Sequence, residues 1–305
     1  MRVGFSVPQF GAFADPELVP RLSRALEYMG YDSLWVGDRI LGPVEPSDPY
    51  PGGDGTMPEQ YVTHLDPLVA LTLAATATER VRLGSSTLNA LWQSPVLLAR
   101  TLTTLDLTSK GRLDVGIGLG WLRDEYTAVG VPWERRGDRL EETLDVLETV
   151  WTSETVRHQG RLWNVPASRI LPKPAQRPRP PVLLGGFSPA SLERVGRRGD
   201  GWLAAAMPLP YLTGLWGQAL RAAEQAGRAP SRLRMVVRAN PTITASPADP
   251  AQTFARGTVG QVCDYLRSAV DAGADEVFVD AQLTASSPGE FLDLAQEFIS
   301  NLRAG

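Results

Sequence analysis

The sequence predicts an α/β chain built as a single (β/α)8 TIM barrel over residues 1–305, with insertions in the loops that follow the strands. Three observations carry that prediction. Eight short apolar runs recur along the chain, and helices with an apolar face follow them in turn. The spacing stays even to the last residues, with no shift of composition to mark a second domain. A length of 305 residues also suits one closed barrel. An open doubly wound sheet is the alternative that the same alternation allows.

Taken in order, Val3 to Val7 reads as the first strand, ended by Pro8, and Pro16 to Met29 as an amphipathic helix with Gly30 at its C-terminal cap. Ser33 to Val36 is the second strand. The Pro/Gly-rich segment from Asp38 to His64 is too long for a simple connection and is a candidate functional loop. Asp66-Pro67 starts a helix through Ala77, Val81 to Ser86 is strand three, and Ser94-Pro95 starts a helix to Thr108. Arg112 to Gly116 is strand four, and Arg136 to Trp151 a long helix. Thr155 to His158 and Arg161 to Asn164 flank Gln159-Gly160 as a small hairpin. Strands five to eight fall at Pro181–Gly185, Gly201–Ala205, 234–240 and 276–280, with helices at Ser188–Arg198, 210–226, 259–272 and 288–302.

Composition narrows the function. Apolar residues at 43% and charged residues at 21% describe a globular chain with ample core. A net charge of -4 gives no general electrostatic case for nucleic acid or an anionic membrane, and no window approaches a spanning helix. One cysteine and no signal-peptide pattern at the N-terminus point to the cytoplasm. Two histidines and that cysteine argue against a zinc site, so no metal is expected. Cys263 shares a helix face with Val259, Val262 and Leu266 and reads as core.

In a barrel the chemistry belongs at the C-terminal ends of the strands. There the sequence places Asp38-Arg39, Gly84-Ser85-Ser86-Thr87, and the run Gly116-x-Gly118-x-Gly120-Trp121 followed by Asp124 and Glu125. The glycine run misses the dinucleotide fingerprint by one residue, leaving close packing or the approach of a flat ligand as its reasons. Leu184-Gly185-Gly186-Phe187-Ser188-Pro189 leaves a strand through two glycines into a capped helix, where free N–H groups suit a phosphate. No nucleophile-base pair and no paired carboxylates stand at the strand ends, a pattern that fits an organic cofactor carrying the chemistry.

These residues carry a resemblance. The runs Gly30-Tyr-Asp-Ser-Leu-Trp-Val-Gly-Asp38, Arg80-Val-Arg-Leu-Gly84-Ser, Lys110 to Tyr126, Gly185-Gly-Phe-Ser-Pro and Gly199-Asp-Gly-Trp202 together resemble the bacterial luciferase-like flavin oxidoreductases across essentially the whole chain. The Gly-Trp-Leu-x-x-Glu-Tyr form is similar to the branch that uses the deazaflavin coenzyme F420. The resemblance implies an F420-dependent oxidoreductase moving a hydride to or from an organic substrate, with FMN and a monooxygenase activity as the alternative. A silent flavin- or deazaflavin-binding carrier is the reading from another class. It implies a coenzyme lined by Asp38, Ser86, Thr87, Gly118, Trp121, Asp124, Gly185, Gly186, Phe187 and Ser188, a non-proline cis peptide around Ser86-Thr87, and a homodimer. Sugar-phosphate dehydrogenases of that branch carry a histidine and a glutamate where this chain has Arg39 and Trp121, which argues against a sugar phosphate as substrate. Proton delivery is then expected from Arg39, His64 or water. Trp92, Trp121 and Met207 suggest an apolar or aromatic small molecule.

Overall fold

The computed structural model describes residues 1–304. Eight parallel strands form the barrel: β1 (Arg2–Ser6), β2 (Ser33–Val36), β3 (Arg82–Ser85), β4 (Leu113–Gly118), β5 (Val182–Gly185), β6 (Gly201–Ala205), β7 (Arg234–Ala239) and β8 (Glu276–Val279). Pairing runs β3-β2-β1-β8-β7-β6-β5-β4, and β3 pairs with β4 to close the ring. The open-sheet alternative is thereby excluded. Helices cover the outside: α1 (Leu18–Tyr28), α2 (Pro67–Ala77), α3 (Pro95–Thr108), a short α4 (Arg123–Ala128), α5 (Arg136–Thr152), α6 (Pro189–Arg198), α7 (Leu209–Gln225), α8 (Val259–Asp271) and α9 (Pro288–Arg303). Among the described residues no helix is long and apolar enough to cross a membrane, and no group of three metal-ligating side chains converges.

Two cores hold this arrangement. The outer one lies between sheet and helices, and it takes in Cys263, whose thiol burial pushes up to about 12. The inner one is the barrel's own filling: Trp35, Leu183, Leu203, Val236 and Phe278. Trp35 stacks on Phe278 at 5.0 Å between centroids and fills the space beside Gly84, where a Cβ would overlap the indole. Below that layer Asp114 accepts from Arg82 at 2.6 and 2.9 Å and from Arg234 at 2.6 Å. Burial alone would push the Asp114 carboxyl up, but the two guanidinium groups hold it below its ordinary value.

The small hairpin departs from expectation in register. Its strands are Val156–Gln159 and Asn164–Ser168, so the turn includes Arg161 to Trp163 instead of closing at Gln159-Gly160. Glu142 on α5 accounts for the shift. Its carboxylate accepts the N–H groups of Leu162 and Trp163 at 2.7 to 3.0 Å and holds the longer turn against the helix.

The feature that shapes the mouth lies where β3 ends. Gly84 faces Asp114 on β4, and Leu88 faces Ile117, so Ser85, Ser86 and Thr87 stand opposite only Val115 and Gly116. That extra residue is a β-bulge. The Ser85 hydroxyl donates to the Gly116 carbonyl and accepts the Gly116 N–H, both at 2.9 Å, and the Ser86-Thr87 peptide is cis, as the sequence resemblance implies. A Cβ on Gly116 would overlap the Ser85 carbonyl oxygen and the Leu203 side chain, and one on Gly118 would overlap the Thr87 hydroxyl.

Gly116→Ala should therefore destabilise the fold by at least about 2–3 kcal/mol, because backbone must move to admit the methyl group. Gly214→Ala is the matched control: nothing lies within 4 Å of its Cβ position inside α7. It should stabilise by up to about 1 kcal/mol through helix propensity. Urea unfolding of both variants checks the pair, and equal effects would remove the steric account of Gly116.

Candidate active site

Thr87 is the hub of the mouth. The bulge turns its side chain toward Gly118 at the end of β4 and Gly185 at the end of β5, where Cγ2 lies 3.1 Å from a Cβ position on Gly185. The preceding carbonyl, that of Ser86, accepts from Arg238 Nη1 at 2.7 Å. Arg238 in turn donates to Asp280 at 2.7 Å through Nη2 and to the Asn240 side chain at 2.7 Å through Nε. Asp280 then orders Gln282, whose side-chain oxygen accepts the N–H groups of Gln9 and Phe10. Strand ends β7, β8, β1 and β3 are thus tied by one buried polar chain.

Asp38 and Arg39 enter from the end of β2. The Asp38 carboxylate accepts the Asn89 N–H at 2.9 Å. Burial, with Glu125 and Asp66 as like-charged neighbours, pushes its carboxyl up to about 7 against that hydrogen bond. Arg39 is 8% exposed, lies over the Trp121 ring at 4.9 Å, and meets the fully buried Glu125 at 3.2 Å. The ion pair is close but poorly aligned, so Arg39 Nη1 and Glu125 Oε2 both remain buried without a hydrogen-bond partner. His64, paired by a backbone bridge to Phe10, also has a buried unpartnered Nδ1. Burial and the nearby Arg39 charge hold its imidazole below the ordinary value, so it is neutral at pH 7.

The long β2–α2 loop closes over this side. Asp124 accepts the Ser47 N–H at 2.9 Å and its hydroxyl at 3.0 Å, and Asp48 accepts the Arg123 N–H at 2.9 Å. Asp124 thus holds the loop to the start of α4, with its carboxylate engaged there. An aromatic row from Trp121 through Tyr50 and Tyr61 to Phe10, with centroids 5.1 to 5.9 Å apart, follows the loop back to β1. Across the mouth, Gly186 has a φ of +126° that glycine adopts freely, and Ser188 caps α6 by accepting the Ser191 N–H at 3.2 Å. Trp202 donates to the Gly186 carbonyl at 2.9 Å, and Phe187, 43% exposed, packs edge-on against that indole.

Of the residues expected from the sequence, Asp38, Arg39, Trp121 and His64 gather on the β2 side. Ser86, Thr87, Gly118, Gly185 and Gly186 meet around the bulge, while Phe187 and Ser188 stand at the α6 start. Gly116 and Gly118 are bare because β3 crowds them, which answers the ambiguity of the glycine run in favour of packing at those two positions. Sequence reasoning gave no role to Arg238, Asp280 or Glu125. A charged residue in the otherwise apolar run Met235-Val-Val-Arg238-Ala was the available signal. The residues present fit a flat organic coenzyme with a phosphate. The mouth keeps buried polar atoms unpartnered at Arg39 and His64, and at the start of α6, where Pro189 has no N–H and Ser188 takes that of Ser191, the Ala190 N–H lies beyond the helix's own hydrogen-bond ladder.

The raised Asp38 value makes a pH prediction. Its folded pKa of about 7 lies above the unfolded value of about 3.9, so its contribution is fully present below pH 4 and is lost as pH rises to about 7. Asp38→Asn should therefore gain stability over the parent across that window and keep the gain at pH 8. Thermal melts of both proteins from pH 4 to 8 check this, and a gap that stays constant would show an ordinary carboxylate.

The luciferase-like monooxygenase family model matches residues 3–292. An uncharacterised protein of Mycobacterium tuberculosis is 33% identical over 208 residues, 65% of this chain and 73% of that protein. The F420-dependent glucose-6-phosphate dehydrogenase of Amycolatopsis mediterranei is 30% identical over 209 residues, 67% of this chain and 57% of that enzyme. The FMNH2-dependent dimethylsulfone monooxygenase of Pseudomonas putida is 34% identical over 127 residues, 41% of this chain and 35% of that enzyme. The monooxygenase RslO1 of Streptomyces bottropensis shares the fold, with a TM-score of 0.83 at 22% identity over 100% of this chain and 99% of its own. The closed barrel and a family match over nearly every residue agree: the chain belongs to the luciferase-like monooxygenase family.

Proposed function

We propose that the chain is an F420-dependent oxidoreductase acting on an apolar or aromatic small molecule. The observation that supports F420 over FMN is the reach of the likeness: it runs over 209 residues with an F420-dependent relative and over 127 with an FMNH2-dependent one. When bound, the deazaflavin supplies a hydride acceptor or donor. The chain's residues do the rest. Gly186, Phe187 and Ser188 at the start of α6 would hold the phosphate, and the Ser86-Thr87 turn, fixed by Arg238, would back the ring. Arg39 Nη1 offers a donor to a substrate oxygen, and Trp121 gives an apolar wall beside it. His64 is neutral and can accept or pass on a proton, while the Asp38 carboxyl, near 7, can exchange one at physiological pH. Tyr50, Tyr61 and the loop over them exclude water from that corner.

The FMN-dependent monooxygenase reading stays open on the strength of the dimethylsulfone enzyme's likeness. Fluorescence titration of the purified protein with F420 and with FMN separates the two. The expected result is F420 binding at least tenfold tighter than FMN. Tight FMN binding without F420 binding would overturn the proposal. Gly186→Ala, whose Cβ would crowd Ser191 at a positive φ, should weaken coenzyme binding roughly fivefold, the equivalent of about 1 kcal/mol at a helix start.

A further inference from the structure

We propose that the part of the β2–α2 loop from Leu41 to Met57 is a lid over the Arg39–Trp121 corner of the mouth, held shut by a two-way latch between Ser47-Asp48 on the loop and Arg123-Asp124 at the start of α4. That role rests on the proposed function in one respect, that this corner receives the substrate. It does not depend on which coenzyme the mouth takes.

The latch is reciprocal. Asp124 accepts the Ser47 N–H at 2.9 Å and its hydroxyl at 3.0 Å. In return Asp48 accepts the Arg123 N–H at 2.9 Å and meets the Arg123 guanidinium at 3.4 Å. Leu122, the cap residue of α4, has no side-chain acceptor of its own, so the loop's carboxylate completes the helix start while the helix's carboxylate fixes the loop. Among the described residues, no other backbone group or carboxylate between Leu41 and Met57 hydrogen-bonds outside the loop. Ser47 and Arg123 are exposed, and water can replace hydrogen bonds of that kind at small net cost. The latch is therefore firm enough to seat the loop and weak enough to release it.

The loop is built to swing, and the site needs it to. Its neck is narrow: a Cβ on Gly42 would lie 3.0 Å from the Val62 Cα. Beyond the neck the chain is fixed on both sides, by the Ile40 N–H on Glu125 at 3.2 Å and by the Gly11 N–H on the Thr63 carbonyl at 2.8 Å. No residue from Leu41 to Met57 is buried. A narrow-necked loop without a core of its own belongs to the least stable parts of a fold, from which lids are drawn. Under it, Tyr50 packs edge-on against Trp121 at 5.6 Å, and Arg39 lies over the same indole. Arg39 Nη1 is shielded from solvent and has no partner, so no substrate oxygen reaches it until part of the wall moves. The latched loop is the part of that wall with the fewest ties.

The test is acrylamide quenching of the Trp121 emission in the coenzyme-free protein, taken as the difference from the same protein carrying Trp121→Phe. Ser47→Ala with Asp48→Ala unlatches the loop and should raise the quenching constant about threefold, the effect of losing one or two exposed hydrogen bonds on an open–closed equilibrium. Ser47→Cys with Asp124→Cys joins side chains that already touch. Oxidised glutathione closes this lock and dithiothreitol opens it, while Cys263 stays buried and takes no part. Closing the lock should lower the quenching constant at least about twofold, and reduction should restore it. Equal quenching in the closed and opened lock would show a fixed wall and overturn the proposal, as would unchanged quenching in the folded unlatched protein. Because no coenzyme is present, failure to bind F420 would count against the proposed function and leave this measurement to judge the lid.

Discussion

The mouth of this barrel depends on how the chain leaves β3. One extra residue between Gly84 and Leu88 bulges the strand, and the bulge carries Ser86 and Thr87 into the space that any ligand must share. Its neighbours are adapted to it. Gly116 gives way to the Ser85 carbonyl, Gly118 to the Thr87 hydroxyl, and Gly185 leaves Thr87 a position between β4 and β5. Arg238 reaches across the mouth to hold the Ser86 carbonyl. Four strands therefore have to agree on the position of three residues, which is how a backbone feature can be held rigid without lengthening any strand.

Asp114 and Glu125, at opposite ends of the barrel, are buried carboxylates held in opposite ways. At the closed end Asp114 has two arginines in good geometry, and its carboxyl is held low. That arrangement is satisfied and structural. At the open end Glu125 and Arg39 are buried and Asp38 is half-buried, yet Glu125 and Arg39 keep atoms without partners and the carboxyl groups are pushed up by burial. Unsatisfied buried groups cost stability, and a fold retains them most readily where a ligand completes them.

The barrel was legible because its signals are local and repeated: apolar strand runs, Asp66 and Pro67 at a helix start, Ser188 and Pro189 at another. The hairpin slipped because its turn is set by Glu142, a side chain distant in sequence that no dipeptide rule registers. In the site, residues at strand ends could be named, but partners could not. The Arg39–Glu125 pair joins the end of β2 to α4, and Arg238 acts from within the otherwise apolar run Met235 to Ala239. The glycine run shows the same limit. Sequence reveals that something comes close, whereas only the register of β3 on β4 reveals that Thr87 is what does so at Gly118.

Arg39 also narrows the chemistry of the mouth. Arginine stays protonated at any working pH, so it can polarise an oxygen and hold it in place but cannot be the group that gives or takes a proton. The carboxylate that balances it comes from Glu125 on α4, beyond the glycine run, and is itself fully buried beneath the guanidinium. With the cation fixed and its counter-charge sheltered, the proposed function leaves proton traffic to Asp38 and His64. Their environments shift them in opposite directions, Asp38 up by burial and His64 down by burial and the Arg39 charge. A carboxyl pushed up and an imidazole pushed down beside a permanent cation would suit the proposed hydride transfer, in which a carbonyl or hydroxyl oxygen changes its proton.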